Sequence, residues 1–393
     1  MQCMFPGCGP RKENSMKASI VILAYNQKEI IEACLTSLSR QYLQEGDGFE
    51  VILVDNGSTD GTGEMIHQLA VNYPLTYKYI PDTAESSRAV SRNQGIVSSS
   101  GDIVIFLDGD QIPGPGFVAE HLRVHKFAED KLVIGFRRYL EQGAIAGGRG
   151  KALFEAGSLP PFEEDERFWL MERFSENAGA LRTAWHLFFS CNISVRRERL
   201  IGAGMFNDGF VGWGLEDSEL GYRLEQGGGS FIFNKSALAY HVHHPSEFNE
   251  ARYAGWLANL QHFISRHPSF EVEAQKILAE FFNPQIRISW WDCYVRFENV
   301  VRAYQGYEGS RYPVSIIVVY KHSTEAVNAI TSEAAGREVA VIDQTALSDL
   351  DLICQSIRQA YDVLYYKHPT ERQLVELYRI FAARGIWRQQ VFD

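Results

Sequence analysis

A chain of 393 residues, 45% hydrophobic and 22% charged, has the composition of a soluble globular protein with room for two or three domains. Its net charge of −11 argues against general nucleic-acid binding, which needs a basic face. Met1 to Lys17 lack the apolar core of a signal peptide and no apolar stretch reaches the length of a membrane span, so a cytoplasmic location is expected, with peripheral membrane contact left open.

Ser19 to Ala24 is a short apolar strand. Lys28 to Gln41 then places Ile30, Ile31, Cys34, Leu35 and Leu38 on one helical face, with Asn26 as its cap and Glu29 three residues on. Glu50 to Val54 forms a second strand that runs into Asp55-Asn56-Gly57-Ser58-Thr59-Asp60. Thr59 or Asp60 caps the next helix, whose inner face is Met65, Ile66, Leu69 and Ala70. Leu75 to Ile80 is a third strand, and the polar stretch from Glu85 to Ser100, with Arg88 and Arg92, is helical. The run Ile103 to Leu107 is a buried strand that ends in Asp108-Gly109-Asp110. Strands alternating with helices predict βαβ units and a mainly parallel sheet. Right-handed crossovers then bring Tyr25-Asn26, Asp55 and Asp108-Gly109-Asp110 to one edge, where open α/β sheets bind ligands.

Asp108 and Asp110 are spaced to face one hard cation, Mg2+ or Mn2+, although Asp-Gly-Asp is also ordinary turn chemistry. Asp55 either accepts from a nucleobase N–H or closes a plain turn. Arg92 is a surface helix charge or a planar fork facing a pyrophosphate. The chain has neither a G-x-G-x-x-G nor a G-K-[ST] loop, so a carboxylate-held metal is the alternative way to neutralise a diphosphate.

A second cluster lies downstream. Phe188 to Val195 reads as a strand, followed by Gly212-Trp213-Gly214-Leu215-Glu216-Asp217. The glycines allow close backbone approach around Trp213, whose flat face suits a sugar ring or an acceptor slot. Glu216 and Asp217 open a helix, where acids also serve as plain N-terminal capping charge. Ser236 to Tyr240 is a strand leading into His241-Val242-His243-His244; alternation puts His241 and His243 on one face, as structural histidines or as a third metal ligand. Of the six cysteines, Cys34 and Cys354 fall on amphipathic helix patterns and read as buried free thiols; Cys3 and Cys8 sit in the tail with no second pair to complete a metal site, and no disulfide framework is expected.

From Ala18 to about His244 these segments resemble the GT-A glycosyltransferases of family 2. The resemblance is carried by Ser19 to Asn26, Val54 to Asp60, Ser91-Arg92-Asn93-Gln94-Gly95 and Leu107 to Asp110. Phe189 to His241 resembles the galactosyl/N-acetylgalactosaminyl-transferase C-terminal region of bacterial chondroitin-polymerase-like enzymes, through Gly212 to Leu220 and Ala239-Tyr240-His241. The resemblance implies an α/β, Rossmann-like GT-A domain with a mixed, mainly parallel sheet. It implies a donor site in which Ala24, Tyr25 and Asn26 surround the base, Asp55 contacts uracil and Arg92 supports the nucleotide. Asp108 would lie near ribose and metal, with Gly109, Trp213 and Gly214 also at the donor. Asp110 and His241 would hold Mn2+ (or Mg2+), Asp217 would be the general base of an inverting displacement, and Glu216 would hold the sugar or acceptor. His243-His244-Pro245 departs from the relatives and leaves open whether His243 takes the metal role.

The implied activity is transfer of a hexose or N-acetylhexosamine from a UDP-sugar to a hydroxyl or thiol of a glycan or peptide. The alternative is a non-catalytic sugar-nucleotide-binding subunit. A nucleotidyltransferase would need a basic, Gly-rich phosphate loop and has no use for Gly-Trp-Gly-Leu-Glu-Asp.

The expected division is a tail over 1–17, the GT-A domain over 18–245, a helical aromatic-rich segment over 246–310 and a small α/β accessory domain over 311–393. In the last, Ser315 to Tyr320 echoes Ser19 to Ala24, Glu338 to Asp343 echoes Glu50 to Asp55, and Asp362 to Tyr366 echoes Asp102 to Phe106 with Lys367-His368 in place of the acids. These echoes suit a truncated second copy of the nucleotide-binding half, or any βαβαβ unit. The accessory domain is expected to bind the acceptor or a second subunit as a homo-oligomer.

Overall fold

The computed structural model describes residues 15–81, 87–141, 143–145, 153–154, 159–173, 178–242, 249–286, 288–305, 314–320, 323–334, 338–345, 363–369 and 387–392. The chain divides into two compact units, one of Met1–Ala180 with Ala184–Ser246 and one of Leu181–Thr183 with Glu247–Asp393.

The first unit opens with alternating strands and helices: β1 (Lys17–Ala24), α1 (Lys28–Leu38), β2 (Gly48–Asp55), α2 (Thr62–Gln68), β3 (Leu75–Tyr79), α3 (Arg88–Ser98) and β4 (Ile103–Asp108). Strand directions then mix through β5 (Gln111–Pro113), α4 (Phe117–Phe127), β6 (Lys131–Leu140), β7 (Phe162–Glu164), α5 (Glu166–Arg173), β8 (Asn192–Arg196), α6 (Arg197–Gly202), α7 (Glu216–Gln226) and β9 (Ser230–Val242). The strands join in one sheet of order β3-β2-β1-β4-β8-β6-β9-β5, with β7 on the flank of β6. The first four are mutually parallel. β8 runs antiparallel to β4, β6 and β9 return to the direction of the first four, and β5 is again reversed.

The apolar runs of β1, β2 and β4 explain this centre. Ile20, Ile22, Val51, Leu53, Ile105 and Leu107 form one buried cluster with Ile31, Cys34, Leu35 and Leu38 of α1 and Phe117, Val118 and Leu122 of α4. A strand buried on both faces needs a continuous apolar run, and burying each such side chain contributes about 1.5–3 kcal/mol.

Several local expectations are corrected. Asn26 does not cap α1: its φ is 52°, its side chain accepts from the Thr59 N–H at 2.8 Å, and Gln27 takes the cap position without a side-chain bond. The first N–H of α1 is bonded instead by Asp60, whose other oxygen takes the Thr62 N–H at the start of α2. One acid thus serves two helix starts, and Gly61 rather than Thr59 or Asp60 holds the cap position of α2. α1 ends at Leu38, and α2 ends at Gln68, leaving Ala70 exposed. The strand expected from Phe188 begins only at Asn192, because Ala184–Leu187 forms a 3₁₀ turn before it. The strand expected from Ser236 is longer, Ser230–Val242, and includes His241.

The second unit contains the helices α8 (Glu250–Arg266), α9 (Phe270–Glu273), α10 (Ala279–Phe282) and α11 (Trp290–Gln305). Trp256, Phe263, Phe282, Trp290, Tyr294 and Phe297 are buried core residues, whereas Phe281 and Trp291 are partly buried. Glu298 on α11 accepts from the backbone N–H groups of Arg182 and Thr183, and Glu280 pairs with Arg296 at 2.8 Å. A four-stranded parallel sheet follows, built from β10 (Val314–Val319), β11 (Glu338–Asp343), β12 (Val363–Lys367) and β13 (Trp387–Phe392), with α12 (Thr324–Ala334) between β10 and β11. Its order is β12-β11-β10-β13. This corrects one echo: β12 pairs with β11 as β3 pairs with β2, so the counterpart of the Asp108 strand is β13, not Asp362 to Tyr366.

Candidate active site at the strand tips

The site lies at the C-terminal tips of β1, β2 and β4, joined by β5, β9 and the start of α7. The loops after β1 and β2 are laced together. The Asn56 N–H bonds the Ala24 carbonyl at 2.9 Å, and the Asn26 N–H bonds the Ser58 hydroxyl at 2.9 Å. Ala24 is buried beneath this lacing, whereas Tyr25 is 51% exposed and leaves an aromatic face at the tip. Asp55 is 0% exposed. Its carboxylate accepts from the Ser58 N–H at 2.8 Å and from the Tyr77 hydroxyl at 2.7 Å. Burial and the charge of Asp55 push the Tyr77 phenol pKa up, which keeps it a donor. Direct contact between Asp55 and a base therefore requires this cover to open.

Between Asp108 and Asp110, Gly109 fits because a Cβ there would run into the Leu23 carbonyl oxygen and the Ile31 side chain. The acidic turn is thus pressed against the tip of β1. Asp110 meets His241 across the β5–β9 pair, with Oδ2 and Nε2 at 3.5 Å. Tyr139 packs edge-on against the His241 ring at 5.2 Å. Asp108 is directed to Arg92, whose Nη2 lies 3.6 Å away. Burial and the charge of Asp110 raise the Asp108 pKa: both acids ionised repel each other.

No three His, Cys, Asp or Glu side chains close into a ready-made cluster among the described residues. The Asp110–His241 pair comes together and Asp108 stands beside it, while His243 lies outside the described residues. The donor set nevertheless fits a hard divalent cation: two carboxylates that repel each other and an imidazole, all at one edge.

Arg92 occupies a different position from a surface helix charge. It is buried, and its Nη1 bonds Glu216 at 2.9 Å. Burial favours loss of its proton, but the charges of Glu216, Asp108 and Asp217 outweigh this and raise its pKa. The arginine ties Asp108 to the start of α7. Glu216, with its carboxylate so engaged, faces the protein and not open solvent. The turn into α7 is left-handed at Gly214 (φ 101°) and at Leu215 (φ 74°). A left-handed leucine costs of order 1–3 kcal/mol and fixes the angle at which Glu216 and Asp217 enter the site. Trp213 and Gly214 are half-exposed beside them.

Asp217 accepts from the Ser218 N–H at 2.8 Å, the Ser190 N–H at 3.2 Å and the Ser190 hydroxyl at 3.4 Å. Burial and the charge of Glu216 push its pKa up to about 6, against the pull of Arg92 and those N–H groups. A half-buried carboxylate tuned toward neutrality is suited to take a proton near neutral pH.

Sequence reasoning missed Tyr77, Ser190, Arg137 and Asp165, which hold or flank these groups. The only signal for Arg137 was a charge at the end of the apolar run Leu132 to Phe136.

Residues 19–200 match the family described as "Glycosyl transferase family 2", and residues 174–245 match "N-terminal domain of galactosyltransferase". Among curated relatives, the uncharacterized glycosyltransferase YfnE of Bacillus subtilis (strain 168) is 32% identical over 59% of this chain and 66% of its own length. Validoxylamine A glucosyltransferase of Streptomyces hygroscopicus subsp. limoneus is 26% identical over 72% of this chain and 65% of its own. Chondroitin synthase of Escherichia coli is 28% identical over 68% of this chain and 41% of its own. The matches thus span two thirds or less of these relatives. With its mixed α/β sheet and both family matches in chain order, the chain carries a glycosyl transferase family 2 domain over residues 19–200 and a galactosyltransferase-like region over residues 174–245.

Proposed function

We propose that the protein is a metal-dependent, inverting glycosyltransferase that moves a hexose or N-acetylhexosamine from a UDP-sugar to a hydroxyl or thiol of a glycan or peptide. The observation that supports this reading above all is the pairing of two kinds of acid at one edge. Asp108 and Asp110, with His241, suit a cation, and Asp217, on the far side of Arg92, suits a base.

Asp110, His241 and Asp108 would hold Mn2+ or Mg2+, which when bound neutralises charge on the departing diphosphate. The residues of this chain do the rest. The exposed Tyr25 ring, on the rigid β1–β2 loops, offers the uracil a face, and Asp55 braces those loops. Asp217 accepts the proton of the attacking hydroxyl or thiol as the acceptor oxygen or sulfur bonds to the anomeric carbon and the bond to the diphosphate breaks. Arg92 holds Glu216, and so the first turn of α7, in register with the metal-side acids.

The relatives' names, a validoxylamine A glucosyltransferase and a chondroitin synthase, do not point to one common donor, so the donor is best identified by measurement. UDP release from a panel of UDP-hexoses and UDP-N-acetylhexosamines with Mn2+ tests the reading. One donor should stand out, and its turnover should vanish in Asp110→Ala; no release from any UDP-sugar would overturn it.

A further inference from the structure

We propose that Arg137 reads the transferring sugar of the donor. This rests on the reading above, in which the sugar lies between the cation and Asp217.

Three contacts converge on the dipeptide Ser190-Cys191. Its Ser190 N–H and hydroxyl hold Asp217. Its Cys191 carbonyl accepts from the Asp108 N–H at 3.2 Å. Its Cys191 thiol lies 3.4 Å from Nη1 of Arg137. Arg137 is thus one contact away from both the metal-side acid and the base. On the other side its guanidinium lies over the Tyr139 ring, 5.1 Å from the centroid, and Tyr139 packs on His241. Arg137 and Tyr139 sit two apart on β6, on the face that His241 shares through its register with Tyr139. The side chain belongs to the floor between His241 and Cys191.

In an inverting transfer the acceptor attacks from the side opposite the leaving diphosphate. The sugar must therefore bridge the cation and the base, above this floor.

Arg137 is held in a way that leaves donors to offer. Nε bonds Asp165, and the same carboxylate is gripped by Arg167 through Nε at 3.0 Å and Nη2 at 2.9 Å. One aspartate thus serves two guanidiniums. Asp165 and Arg167 are each 1% exposed, whereas the Arg137 side chain keeps 20% of its surface open. Among the described residues its hydrogen-bond acceptors are one carboxylate and a thiol, a weak acceptor. A rigid fork with free N–H groups suits a sugar hydroxyl or the carbonyl of an N-acetyl group.

The test uses the full chain with Mn2+, comparing wild type with Arg137→Met and Arg137→Lys. Asp165 keeps Arg167 in both variants, and Lys also retains a cation beside it. Binding of UDP alone should stay within about twofold, while kcat/KM for the preferred UDP-sugar falls about 10- to 100-fold in both, the loss of a charged hydrogen bond. Selectivity among UDP-sugars differing at one ring position should narrow. An equal loss of UDP affinity would overturn the proposal by moving Arg137 to the diphosphate. Unchanged kcat/KM, or full rescue by Lys, would overturn it in favour of a structural ion pair. A wild type that turns over no UDP-sugar would sink the parent reading as well; an unaltered variant of an active wild type sinks only this one.

Discussion

The strand orders β3-β2-β1-β4 and β12-β11-β10-β13 are one arrangement written twice, and the agreement extends to individual residues. Ala24 pairs with Asp55 as Val319 pairs with Asp343. The N–H of Asn56 bonds the Ala24 carbonyl at 2.9 Å, and that of Gln344 bonds the Val319 carbonyl at 2.8 Å. The N–H of Ile80 bonds the Asp55 carbonyl, and that of His368 bonds the Asp343 carbonyl, both at 2.8 Å. The two tips part company at the fourth strand. Leu23 stands opposite Asp108, but its counterpart Val318 stands opposite Val391. The aromatic tips differ too: Tyr25 is half exposed, whereas the Tyr320 hydroxyl donates to Glu280 at 2.9 Å. The two sheets share a strand order and tip hydrogen bonds; the acid at one register position sets the first tip apart.

That contrast can be broken in graded steps. The largest effect is expected at Asp217. Asp217→Asn should lower kcat by about 10²- to 10⁴-fold with UDP binding intact, as read by steady-state kinetics and calorimetry. Next, Asp110→Ala should cost at least about 100-fold in metal-dependent turnover, since even partners behind a ligand cost 10- to 100-fold. Asp343→Asn should leave turnover within about twofold. It should nevertheless cost about 1–3 kcal/mol in denaturant unfolding, because Asp343 is buried and accepts from the N–H and hydroxyl of Thr345. Equal losses of activity from both substitutions would mean that the second sheet also binds donor. Gly109→Ala should destabilise by about 1–3 kcal/mol and weaken Mn2+ binding, because its methyl group meets the β1 tip.

Much of the first tip was legible because each strand is an apolar run that stops at a polar turn. Asp55, Asp108 and Asp110 lie at such stops, whereas Asp217 was marked by the Gly212-Trp213-Gly214 turn before its helix. Arg137 and Asp165 were not legible. Their partnership joins β6 to the start of α5, and its neighbour Cys191 is 54 residues away, a separation that no local periodicity reports. Asn26 failed as a cap for a related reason: the Asx-type side chain found a partner in Thr59, 33 residues on. The misassigned echo at Asp362 arose because one short apolar strand looks like another. Only the pairing with β11 showed that β12 takes the place of β3. Cys34 is buried and free as expected, whereas Cys354 lies outside the described residues.

Smaller effects come from pH. If Asp217 is the base, its pKa pushed up to about 6 leaves it ionised only above that value, so kcat should rise through about pH 6 and level off. Stability should respond in its own way. His121 and His125 are buried around Ser194, each 2.9 Å from its hydroxyl, and burial lowers their pKa values to about 4 and about 3. The unfolded chain takes up these protons near pH 6.5 and the folded chain resists. Stability should therefore fall as pH drops below about 6.5, and keep falling until the folded histidines are protonated. Ser194→Ala, melted across the same pH range, separates this network from other acid effects.

If the acids of the first sheet make a working donor site, the protein turns a UDP-sugar over only with metal bound. The most direct measurement is UDP release from the preferred UDP-sugar by wild-type protein, with Mn2+ and then with the metal chelated. Metal-dependent turnover is expected, slow with water as acceptor and faster with a hydroxyl or thiol acceptor. A UDP-sugar that binds at this site yet never releases UDP, whatever the metal and acceptor, would contradict it and leave a sugar-nucleotide binder in place of an enzyme.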